Sequence, residues 1–140
     1  MTSRTARSDR HPSVTRRGER ASAAVEFALV LPLLLTMALA LVQVGLLVKD
    51  QLVLQEAARA GARQAAVSRD DGSARQAAVD AAVSLDSSNL DVSVERDGGE
   101  GSAATVHAVY HAPIAIPIVR WLFPSHVDLS ASAVMRQETG

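Results

Sequence analysis

The feature that most constrains this chain is an uncharged run, Leu29 to Val48 (LVLPLLLTMALALVQVGLLV), twenty residues in which only Thr36 and Gln43 are polar. At about 1.5 Å per residue, a helix of that length covers roughly 30 Å, the thickness of a bilayer's hydrocarbon core. The run therefore predicts a membrane-spanning helix, and everything else must be attached to one end of it or the other. Pro32 near the start and Gly45 near the end are both tolerated in spanning helices. Between Ala21 and Val48 the one charged residue is Glu26.

The two flanks of the run differ. Residues 1–21 carry Arg4, Arg7, Arg10, Arg16, Arg17 and Arg20 against only Asp9 and Glu19. Rich in Ser, Thr and Arg, this leader has too little apolar surface to fold and is expected to be disordered. Its arginines, set against Lys49 and Asp50 beyond the run, orient the amino end toward the cytoplasm and residues 49–140 outside the membrane. Two other readings of the start are open. Ala38-Leu39-Ala40 would complete a secretory signal peptide and release a secreted binding domain, although the apolar character continues to Val48, longer than a cleaved signal needs. Arg16-Arg17 suggests a twin-arginine signal, but Glu19 and Arg20 follow where that signal would be apolar. The leader could also bind anionic membrane lipid.

Beyond the run the helical pattern continues. KDQLVLQEAARAGARQAAVS, residues 49–68, repeats Leu52, Ala58, Ala62 and Ala66 with Glu56 and Arg59 offset from them. One helix of about 70 Å could thus run from residue 22 to 68. Asp70, Asp71 and Gly72 end it, and Ser73 is a candidate cap for a second helix over 73–85. The period then changes to two. Leu90, Val92 and Val94 alternate with polar residues, as do Ala104 to Tyr110 and Val127 to Ala133, predicting strands at about 89–96, 102–111 and 126–136 with a turn at DGGEG, 97–101. Residues 112–125 hold three prolines and the single Trp, and read as an apolar loop that docks onto a partner. The fold class is α+β: three antiparallel strands packed on a long amino-terminal helix, the outer part being residues 49–140.

Composition excludes several chemistries. With no cysteine in 140 residues there is no disulfide framework, thiolate metal site or cysteine nucleophile. The sequence contains no Walker phosphate loop, no G-x-S-x-G and no H-E-x-x-H. No basic aromatic surface points to nucleic acid. His107 and His111 share a strand face, and a metal would need His126 or an acid beside them, so they are expected to face solvent. Asp70-Asp71-Gly72 and Asp97-Gly98-Gly99-Glu100 lack the alternating ligands of a calcium loop and read as turns. A hydrolase resting on His107, His111 or Asp128 is the distant alternative. No cofactor, metal or enzymatic activity is expected.

A charge in an apolar segment is costly and by default functional, which singles out Glu26. Favourable interaction with the helix amino terminus is its simpler explanation. Its setting is Ser22-Ala23-Ala24-Val25-Glu26-Phe27, followed by ALVLPLLL and later by VQVGLLVKDQLVLQEAARAGARQAAV at 42–67. With the Arg17-Gly18 lead-in, this combination resembles the TadE-like family, minor pilins or pseudopilins of tight-adherence (Flp) pili within the type IV pilus superfamily. The resemblance runs from Arg17 to about Val67. It implies a pilin-like fold and removal of the leader by a prepilin peptidase at the Ala21–Ser22 bond, leaving Glu26 fifth in the mature chain. Related prepilins usually have glycine where this chain has Ala21. It also implies other pilins or pseudopilins and an inner-membrane pilus platform as partners, with Glu26 and Phe27 serving assembly.

The physics beside the resemblance is charge pairing. The new amine of Ser22 would be positive, and Glu26 of a neighbour could neutralise it in the low-dielectric membrane, setting register without adding much stability. Ala57, Gly61 and Ala65, at four-residue spacing, let a helix or sheet approach closely, either within the subunit or between subunits. A membrane-anchored envelope protein that is never processed is the remaining rival.

Overall fold

The computed structural model describes residues 15–98, 101–117 and 125–138. The chain divides into two compact units, Met1–Met37 and Ala38–Gly140. The architecture is α+β, with a long apolar amino-terminal helix, a second helix and a three-stranded antiparallel sheet.

Helix α1 runs from Thr15 to Val67 and contains Pro32. Its apolar stretch is long enough to cross a membrane once, and none of the most apolar window is covered by protein. The helix starts earlier than residue 22, inside the leader expected to be unfolded. Arg, Glu and Ala between 16 and 21 are strong helix formers, and extending an existing helix requires no new nucleation. The Ala21–Ser22 bond is therefore helical. Residues 1–14 of the leader lie outside the described residues.

Helix α2 spans Asp71–Ala81, and its N-cap is Asp70 rather than Ser73. The Asp70 carboxylate accepts from the backbone N–H groups of Gly72 at 3.0 Å and Ser73 at 2.9 Å. One acid thus satisfies two of the donors that a helix start leaves free, which is why the start moves forward. The helix ends at Ala81, short of residue 85. A single 3-10 turn follows at Ser87–Asn89, capped by Asp86. The Asp86 carboxyl is held below its usual range by hydrogen bonds from the Ser88 hydroxyl and then its backbone N–H.

The sheet is a meander of β1 (Leu90–Arg96), β2 (Ala103–Pro113) and β3 (His126–Arg136), in that spatial order. Val92 pairs with Ala108, and Val106 with Ala133. Before β2, Gly101 adopts φ +82, a conformation that disfavours any side chain. Strand β2 continues to Pro113, so Ala112 and Pro113 belong to the sheet and not to the loop predicted from 112. The β1 pairing stops at Tyr110, and a proline three residues further removes no donor from that ladder.

Every second residue of β2, from Ala104 to Ala112, is buried. Together with α1 and α2 they make two adjoining clusters. Leu54, Ala57, Ala58, Ala82, Leu85, Ala108, Tyr110 and Ala112 form one. Ala62, Ala65, Ala74, Ala104 and Val106 form the other. Alanine dominates because the backbones of helix and sheet lie close together, leaving no room for longer side chains.

Candidate functional site

Among the described residues, 22 to 35 are all exposed, including Val25, Phe27 and Leu29. Glu26 and Ser22 lie one helical turn apart, and the Ser22 hydroxyl donates to Glu26 Oε1 at 3.3 Å. The i to i+4 spacing thus puts the residue after the expected processing bond and the lone acid on one face. Phe27, 62% exposed, projects from the adjoining position. The result is an apolar surface bearing one carboxylate, able to take up a positive charge in a medium that disfavours leaving it unpaired.

The three small residues further along α1 are placed differently. Ala57 and Ala65 are buried in the two clusters of their own chain. At Gly61 an added Cβ would come within 3.1 Å of Ala74 O, Ala78 Cβ and Val106 Cγ1. Here the close approach lets α2 and β2 of the same chain reach the helix.

Two polar centres had weak or no sequence signals. The first is Arg96, at the end of β1. Its Nε donates to Asp71 Oδ1 at 2.8 Å, Nη1 to Ala65 O at 2.9 Å and Gln137 Oε1 at 3.2 Å, and Nη2 to Ser68 O at 3.0 Å. One guanidinium thereby covers two of the carbonyls at the end of α1 and ties them to the start of α2. Nothing local in the sequence marks it, because its partners lie about 25 to 40 residues away. The second is Gln43, buried although its neighbours Val42 and Val44 are exposed. Its Oε1 accepts from the backbone N–H of Ile116 at 3.2 Å. A glutamine within an apolar run was the available signal. Of the apolar segment after β2, residues 118–124, which include Trp121, lie outside the described residues.

On the sheet face away from the buried alanines, His107 and His111 are half-exposed beside acids. His107 Nε2 lies 3.6 Å from Glu95 Oε2. His111 bridges three strands, with Nδ1 2.7 Å from Asp128 Oδ1 and Nε2 3.4 Å from Asp91 Oδ2. Its pKa is raised above the ordinary 6.5, first by the hydrogen bond to Asp128 and further by Asp91, against a smaller desolvation effect. The same bond lowers Asp128 below 3.8. Among the described residues no group of three or more such side chains is placed to hold a metal ion. The histidine and its acids instead strap the strands together.

Comparison with known proteins bears on the helix. Residues 21–63 match the family model described as TadE-like protein. No curated protein and no solved structure matches the chain. The match begins at Ala21, beside the expected processing bond, and takes in Glu26, Phe27, Gln43, Ala57 and Gly61. Over residues 21–63 this chain is thus similar to the TadE-like family.

Proposed function

We propose that the protein is a minor pilin, pseudopilin or assembly factor of a tight-adherence pilus, anchored in the cytoplasmic membrane with its amino end inside. It associates laterally with other pilins through the first half of α1 and presents the domain after the span to partners outside. It acts by assembly and not by catalysis. The observation carrying this reading is the exposed apolar surface bearing Glu26, within the segment that matches the TadE-like model. A prepilin peptidase would cut at Ala21–Ser22, and the freed amine would meet Glu26 of a neighbour. The inner-membrane platform is the partner expected to receive the subunit.

Two measurements test the proposal. Amino-terminal sequencing from membranes with and without the peptidase should give a start at Ser22 only where the peptidase is present. Intact leader in both strains supports the unprocessed envelope protein, and a start at Leu41 supports the secreted domain. Glu26→Ala should insert normally, since removing a charge favours insertion by up to about 3 kcal/mol at mid-span and less near the interface. It should fail to co-purify with pilus or platform. Normal co-purification of that variant would sink the role given to Glu26.

A further inference from the structure

Where the chain leaves β2 it turns onto α1 at an unexpected level. Ile114 is buried, and its N–H donates to Ser125 O at 3.5 Å, closing the base of the excursion. Two residues later the N–H of Ile116 donates to Gln43. Gln43 lies five residues before the end of the apolar run, about 7.5 Å along the helix axis. At and beyond this level the helix still exposes large apolar side chains, Val42, Val44, Leu46 and Val48. The surroundings that suit them also surround the excursion, whose Ala115 and Pro117 are exposed.

Backbone in hydrocarbon must have its N–H groups satisfied by protein, because water is absent. Four of the five residues from Pro113 to Pro117 meet that demand: the N–H groups of Ile114 and Ile116 have acceptors, and Pro113 and Pro117 carry no N–H. A glutamine in a spanning run is likewise costly unless bonded, and Gln43 is bonded by this segment.

We propose that Pro113–Pro117 is a lipid-contacting element, held by Gln43 so that its exposed side, Pro113, Ala115 and Pro117, enters the bilayer leaflet on the side of the folded domain. Its partner is the acyl-chain region of that leaflet. The inference rests on the membrane-spanning reading of α1 and is independent of whether the protein joins a pilus. The domain is thereby fixed to the membrane at two places, the helix itself and a short apolar foot beside it.

The cysteine-free chain permits single-site nitroxide labelling of the full-length protein in phosphatidylethanolamine and phosphatidylglycerol vesicles. Labels on Ala115→Cys, Leu34→Cys and Val83→Cys would be compared for collision with oxygen, which enriches in lipid, and with a water-soluble nickel chelate. The Ala115→Cys label should resemble the Leu34→Cys label, favouring oxygen, whereas the Val83→Cys label favours nickel. Adding Gln43→Leu should move the Ala115→Cys label toward the Val83→Cys value. Nickel access at position 115 like that at 83 would overturn the proposal. So would low access to both reagents, which signals a protein contact in place of lipid, and so would indifference to Gln43→Leu. A Leu34→Cys label in water would instead remove the membrane-spanning reading itself.

Discussion

Between Val25 and Val42 helix α1 leaves most of its large side chains uncovered, Leu29 at 75% and Leu41 at 64% exposure, whereas from Leu54 to Ala66 it buries mostly alanines. A size rule that ranked positions by apolar bulk would choose the wrong half as the core. In the first stretch, bulk is matched to a medium that fills any shape. In the second, smallness is matched to α2 and β2, rigid elements that must come close. Gly45 and Gly61 show the contrast most directly: nothing lies within 4 Å of a Cβ added at the first, and three atoms crowd one added at the second.

The sharpest way to break this contrast is to put the same side chain at both glycines. Gly61→Leu should destabilise the domain by about 3 kcal/mol, as overpacking does. Gly45→Leu should stay within about 0.5 kcal/mol. Denaturant unfolding in detergent, followed by circular dichroism, would measure both, and equal effects would mean that the second half of α1 is not packed as described. Arg96→Met should be next in size. It uncovers two helix-end carbonyls and the Asp71 carboxylate, for about 2 kcal/mol, and hydrogen exchange should speed up at the last turn of α1 and the first of α2. Asp70→Ala should cost about 1 kcal/mol through loss of the cap, with Ser73→Ala well below it; the reverse order would restore Ser73 as the cap.

The smallest expected effect is on the open sheet face. Folding raises the His111 pKa, so its contribution is fully present below the ordinary 6.5 and is lost as pH rises through the higher folded value. Folding lowers the Asp128 pKa, so its contribution is present above 3.8 and is lost as pH falls through the lower folded value. The pair therefore supports the sheet most between pH 3.8 and 6.5. A proton resonance titration should place the His111 midpoint above 6.5 in the folded protein and nearer 6.5 after Asp128→Asn.

Much of this was legible in sequence because it is periodic. The apolar run, the alternation in β1 to β3 and the Ala-rich helical repeat each repeat over several residues, whereas the turn expected at 97–101 includes residues 99–100, which lie outside the described residues. The lone Glu26 stood out for the same reason, against a uniform background. Positions set by competition among neighbours were not legible. Whether Asp70 or Ser73 caps α2 depends on which side chain reaches two N–H groups at once. That α1 reaches back to Thr15 depends on extension from a helix already formed. Arg96 was hidden because strand alternation explains an arginine at that position equally well, and its four acceptors come from two distant places in the chain, residues 65–71 and Gln137.

The close of α1 depends on residues made long after it. The Ala66 carbonyl accepts from the N–H of Glu138 at 2.8 Å, about seventy residues later in the chain, and Arg96 reaches the carbonyls on either side from β1. Translation yields the helix first, so its last turn waits with open carbonyls and an uncovered alanine face until β3 has been delivered. During synthesis the domain would thus remain an incomplete, chaperone-accessible chain until Glu138 has been made. A ribosome stalled before residue 138 would leave the end of a helix long enough to span a membrane open to protease.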